Sequence, residues 1–169
     1  YLAIEKVTDP SYKVGPDIAL PRLRTAFGIE ATKKLGEVVR KHLGLPQTWQ
    51  PLRIEGYDVS NFQGKLAVVS LVCFVDGVQE SSGYRTFHVR RKDTPDDYGM
   101  LRQVLTRRQD HEEWGIPDLI LIDGGKGQLN AVKEVWRWPT PVVSIAKDPD
   151  RLVLSTPEGF VLIPASELG

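Results

Sequence analysis

The stretch Leu119-Ile120-Leu121-Ile122-Asp123-Gly124-Gly125-Lys126-Gly127-Gln128 constrains the fold more than any other in the chain. Its four apolar residues read as a buried strand, yet the run ends on a carboxylate followed by glycines and a lysine. A carboxylate buried without a partner is costly. Asp123 therefore caps something locally or answers a group elsewhere in the sheet.

The segments around it supply the sheet. Arg53 to Asp58 alternates and ends near the turn-like Ser60-Asn61. Leu66 to Val75 is almost wholly apolar and suits a central strand, and Asp76-Gly77 is a hairpin signal. Ser82 to Arg91 alternates again. A helix should follow, with Thr94 as N-cap, Pro95 in first position and Asp96 and Asp97 where the helix dipole favours acids. Tyr98, Leu101, Val104 and Leu105 make its apolar face. After the Asp123 strand comes a helix from about Gln128 to Trp136, then short strands at residues 141–146, 152–155 and 160–163. The order β-β-β-α-β-α-β predicts an α/β fold of ribonuclease H-like architecture, in which three antiparallel strands precede parallel ones and helices flank a mixed sheet. Residues 1–50 read as a helical amino-terminal segment or linker, with apolar positions at Leu23, Phe27, Ala31, Leu35, Val38 and Val39. Residues 51–169 read as the ribonuclease H-like domain, truncated at its carboxyl terminus.

The order places the pair. A strand reached through a helix joins the sheet in parallel by a right-handed crossover. If the Asp123 strand lies beside the first one, Asp58 and Asp123 emerge together at carboxyl ends, where open α/β sheets bind ligands. Two shielded carboxylates repel each other. A hard cation, Mg2+ or Mn2+, removes that conflict and activates water towards a phosphodiester. Gly124, Gly125 and Gly127 would let backbone amides approach a phosphate at the helix start, with Lys126 adding charge. Taken singly, Asp123 before Gly-Gly reads more readily as a turn former or helix cap and Asp58 as an Asx turn; only as a pair do they read equally well as a site. A nucleotide-binding phosphate loop is excluded, because Gly127 stands where Ser or Thr should be and the upstream glycine is absent.

Composition narrows the field further. Hydrophobic and charged fractions of 41% and 26% and a net charge of zero describe an ordinary globular chain without a global basic field. Basic residues cluster at Arg90-Arg91-Lys92 and Arg107-Arg108, with Arg85 and Arg102 nearby, and predict a local phosphate-tracking groove. Lys126, Gln128, Arg85, Arg107, Arg108 and Asn61 are thus the candidate nucleic-acid contacts. His42, His88 and His111 belong to no motif and read as structural. The single cysteine, Cys73, sits in an apolar run, which suits a core position and a reducing, cytoplasmic setting. No run approaches the length of a membrane span. A start at Tyr1 rather than Met suggests part of a longer protein.

Several ordered motifs carry a family resemblance. The stretch Arg53 to Gly64 (RIEGYDVSNFQG), Tyr84-Arg85-Thr86-Phe87, Asp96-Asp97-Tyr98 with Met100-Leu101-Arg102 and Arg107-Arg108, and Pro117 to Leu129 closely resemble the carboxyl-terminal half of the UvrC family. The resemblance covers about residues 50–148. It implies a metal-dependent endonuclease that incises damaged DNA 5′ of a lesion in nucleotide excision repair, with UvrB as partner. It places the family's two catalytic aspartates on Asp58 and Asp123. The family's third catalytic residue, a histidine in a later helical segment, has no counterpart among the three histidines here, so an incomplete catalytic set is expected. The rival expectation is a non-catalytic ribonuclease H-like scaffold that binds DNA or a repair partner.

Overall fold

The computed structural model of the chain describes residues 2–6, 29–61, 66–90 and 97–168. In these, the order is β1 (Leu2–Lys6), α1 (Ile29–Leu43), β2 (Arg53–Asn61), β3 (Leu66–Val75), β4 (Val78–Gln79), β5 (Arg85–Arg90) and α2 (Asp97–Arg108). There follow β6 (Leu119–Asp123), α3 (Lys126–Val135), β7 (Val142–Ala146), β8 (Arg151–Thr156) and β9 (Gly159–Pro164). Single 3-10 turns occupy Ser81–Gly83, Glu112–Trp114 and Ala165–Leu168.

All the described strands join one mixed sheet in the spatial order β1-β5-β3-β2-β6-β7-β8-β9, with short β4 paired to β3. Its antiparallel half is the β2–β3–β5 meander. Asp76 and Gly77, at φ of 51° and 78°, make the tight turn out of β3. β6 then adds parallel to β2, with Ile54 opposite Leu119 and Tyr57 opposite Ile122. β7 adds parallel to β6 in turn. The β5–α2–β6 and β6–α3–β7 crossovers step in the same direction across the sheet. Right-handed connections therefore put α2 and α3 side by side on one face, where they touch. This is the ribonuclease H-like arrangement that the element order predicts.

The core follows from strand composition. Ile120, Ile122, Val69, Phe87 and Val104 are entirely buried, and such β-branched and aromatic side chains fill the space between a pleated sheet and its helices. α1 contributes Leu35 and Val39 to the core and lies against β8 and the turn at Ala165–Leu168.

Two differences from the sequence reading concern the edges. Leu2–Lys6, in a segment read as helical, is a strand paired antiparallel to β5, with Leu2 opposite Val89 and Lys6 opposite Arg85. A five-residue run, three apolar and two charged, is too short a signal to outweigh the helical pattern that follows. β2 runs on to Asn61 because β3 continues to pair with it. The expected helix start at Thr94, Pro95 and Asp96, and the apolar positions Leu23 and Phe27, lie outside the described residues.

Candidate active site

The β2–β6 ladder brings the two aspartates together. One residue beyond the Tyr57–Ile122 pair, Asp58 and Asp123 occupy the next register positions, on strands that lie about 4.8 Å apart. Pleat alternation sends both side chains to one face, the opposite one from Tyr57 and Ile122. β6 ends at Asp123, whereas β2 continues along β3 to Asn61. The sheet edge thus has a step, with the carboxylates at its corner. Asp58 is only 6% exposed, and the Asp123 side chain 15%.

Two adjacent carboxylates so shielded from water repel unless a cation lies close. Lys147 Nζ is 4.0 Å from Asp123 Oδ2. Among the described residues, no three His, Cys, Asp or Glu side chains converge as a metal group would require. Two carboxylates are too few for a closed tetrahedral zinc site. They are the usual protein contribution to a hydrated Mg2+-type ion that also binds a substrate phosphate. The donor set therefore fits a hard divalent cation.

The glycine turn is more engaged than the sequence suggests. The Gly124 amide donates to Ile145 O at 3.0 Å, tying the turn to β7. The Gly125 amide donates to Gln128 Oε1 at 2.9 Å. Gln128, expected at DNA, instead closes the start of its own helix in the manner of a capping box. A Cβ on Gly124 would fall 2.6 Å from Gln128 Cγ and push that cap aside. The amides left without an intrahelical acceptor are those of Lys126, Gly127 and Gln128, where an anion is favoured. At Gly127 there is no room for a side chain, since the Tyr98 hydroxyl and ring from the first turn of α2 lie against it. Gly127 is thus a helix-contact glycine. Lys126 is exposed and leans toward β9, its Nζ 5.2 Å from the Phe160 ring centroid.

The arginines correct the sequence reading. α2 starts near the carboxyl edge of the sheet and runs back about 18 Å, so Arg107 and Arg108 lie at the opposite edge. Arg108 is 0% exposed. Its Nε and Nη2 donate to Glu55 Oε1 and Oε2, both at 2.8 Å, in a bidentate fork. Tyr57 donates to the same carboxylate at 3.0 Å. Burial opposes the Arg108 charge, but Glu55 and Tyr57 together outweigh it and raise the guanidinium pKa. Burial, reinforced by Glu55, holds the Tyr57 phenol well above its ordinary value. Arg85 is buried too, donating to Ser82 O and Tyr84 O with its guanidinium 4.5 Å over Trp114. Neither Arg85 nor Arg108 presents its charge to a phosphate. Arg107 is exposed and pairs with Asp110 at 3.6 Å, far from the aspartates. Of the arginines expected to frame the carboxylates, Arg85 and Arg108 belong instead to a buried polar network toward the other end of the sheet.

The side chain of Asn61 and residues 91 and 92 lie outside the described residues. His111 stacks on Trp114 at 4.1 Å, and its Nδ1 lies 2.7 Å from Glu113 Oε1. Two residues escape the sequence reading. Glu55 could be suspected as a charge at an inward position of an alternating strand. Lys147 directly follows the carboxyl end of β7, the strand beside the one that ends on Asp123.

The family described as UvrC RNAse H endonuclease domain matches residues 40–167. The UvrABC system protein C of Trichlorobacter lovleyi is 45% identical over 114 residues, covering 66% of this chain and 18% of the relative. That of Bdellovibrio bacteriovorus is 41% identical over 115 residues, with the same coverage of 66% and 18%. That of Dictyoglomus thermophilum is 44% identical over 108 residues, 60% of this chain and 18% of the relative. The chain spans 18% of the length of these curated relatives. Among solved structures, Ciona intestinalis endonuclease V in complex with an inosine-containing DNA has a TM-score of 0.49 at 16% identity, covering 75% of this chain and 54% of that one. Human ENDOV gives a TM-score of 0.43 at 18% identity, covering 72% and 60%.

Proposed function

The chain belongs to the UvrC RNase H endonuclease domain family, and on that premise we propose that Asp58 and Asp123 form the centre at which it hydrolyses DNA phosphodiesters. The reaction is the incision 5′ of a lesion in nucleotide excision repair, on damaged DNA engaged together with UvrB, in the cytoplasm. Residues 51–169 carry this activity, and residues 1–50 are an appended segment that lends β1 and α1. No helix among the described residues is long and apolar enough to cross a membrane.

The observation that carries the proposal is the register of β2 against β6, which sets two shielded carboxylates side by side at a step in the sheet. A divalent cation, Mg2+ or Mn2+, bound by Asp58 and Asp123 would supply Lewis acidity toward the phosphodiester and the attacking water. The chain does the rest by position. The buried strands beneath the two aspartates fix their separation, which spares the site reorganisation during the reaction. The first-turn amides of α3 face that edge with the partial positive charge of a helix start, which suits a backbone phosphate.

The test is incision of a lesion-bearing duplex by the intact protein with Asp58→Asn or Asp123→Asn. Each substitution keeps the shape but removes the anionic ligand. The proposal expects incision to fall at least a hundredfold, with DNA affinity changed less than threefold. Unimpaired incision by either variant removes that residue from the mechanism, and by both leaves a scaffold.

A further inference from the structure

Lys147 belongs to the same corner of the sheet. In β7, Ile145 stands opposite Asp123, and Lys147 lies two residues farther on, just past the strand's carboxyl end. Strand periodicity returns it to the face that carries Asp123, and its Nζ reaches to 4.0 Å from Asp123 Oδ2. The backbone beneath it is braced, since Arg151 Nη1 donates to Lys147 O at 2.9 Å and to Pro149 O at 2.7 Å. The side chain itself is 37% exposed. A long, half-exposed ion pair of this kind contributes little to stability. It does hold a cation at the mouth of the aspartate pair, on a four-carbon stem that can swing.

We propose that Lys147 is a substrate-phosphate residue, whose ammonium group takes a non-bridging oxygen of the DNA phosphate lying against Asp58 and Asp123. This rests on the endonuclease reading above. Lys147 is better placed for that contact than Arg107 and Arg108, which lie at the other end of α2, or Lys126, which leans onto Phe160. Without DNA the ammonium partly offsets the repulsion between the aspartates. With DNA it leaves Asp123 for the phosphate, so the same charge serves both states.

The test reads DNA binding without turnover. In the intact protein carrying Asp58→Asn and Asp123→Asn, with chelator present, a fluorescent lesion-bearing duplex can reach the site without a metal. Lys147→Ala and Lys147→Gln in that background should weaken binding several-fold and lower the slope of log affinity against log salt by about 0.9, the value for one lost phosphate contact. Lys147→Arg should preserve both. An unchanged slope for Lys147→Ala overturns the assignment and leaves the residue as a charge balance for Asp123. Failure of the endonuclease reading shows separately, as incision surviving in the Asp58→Asn and Asp123→Asn proteins that retain Lys147.

Discussion

Arg108, on the last turn of α2, grips both carboxylate oxygens of Glu55, on β2, at 2.8 Å, and neither side chain is exposed at all. Tyr57 and, more distantly, Arg53 share the same carboxylate. The remaining Arg108 donors reach His111 O and Gly115 O, so the guanidinium joins β2, α2 and the loop before β6. Those are the elements whose relative placement sets the β2–β6 register, and with it the spacing of Asp58 and Asp123.

Removing one partner leaves the other charged and buried. Arg108→Met should destabilise the protein by about 3–5 kcal/mol, read as a lower urea midpoint at unchanged slope. Glu55→Gln combined with Arg108→Met should recover a large part of that loss, because the orphaned charge is gone. A loss below about 1 kcal/mol for Arg108→Met would contradict the description of the pair as a sealed unit.

The turn before α3 makes an opposite-sign prediction. Ala is preferred over Gly within a helix by about 1 kcal/mol. At position 127, however, a Cβ would run into the Tyr98 ring. Gly127→Ala should therefore destabilise, by about 1–3 kcal/mol. With Tyr98→Ala present, the same change should become neutral or stabilising. A double-mutant cycle measures this directly, and additive effects would show that the two helix starts do not touch.

These results also show which features a sequence reveals. The pair Asp58 and Asp123 was legible because a strand reached through a helix joins the sheet in parallel, and β6 beside β2 then brings the two strand ends together. The roles of Arg85 and Arg108 were not, because a basic residue near a motif looks the same whether it faces solvent or a buried acid 53 positions away. Alternation in β2 hinted that Glu55 points inward, but its partner became visible only once α2 was laid on the sheet. Lys147 was missed for a related reason. Its significance depends on β7 lying beside β6, and nothing in Ala146-Lys147-Asp148-Pro149 shows that adjacency.

Cys73 gives a prediction in pH. It is fully buried on β3, and burial pushes its thiol from 9.0 up to about 11. Above pH 9 the unfolded chain loses this proton while the folded chain keeps it, so the native state binds more protons and stability falls as pH rises. The contribution is fully present below about pH 9 and declines by up to about 1.4 kcal/mol per pH unit until the folded thiol ionises. Urea unfolding in reductant at pH 8.5, 9.5 and 10.5 should show a shallower decline for Cys73→Ala than for the parent. Equal slopes would mean that the thiol ionises as freely in the fold as outside it.

The central claim is that Asp58 and Asp123 share one divalent cation, and anomalous diffraction from crystals soaked in Mn2+ tests it most directly. The account predicts one strong peak within coordinating distance of a carboxylate oxygen from each residue, absent from crystals of the Asp123→Asn protein. A peak bonded to only one aspartate, or carboxylates too far apart to share any ion, would contradict the register on which the proposed chemistry depends.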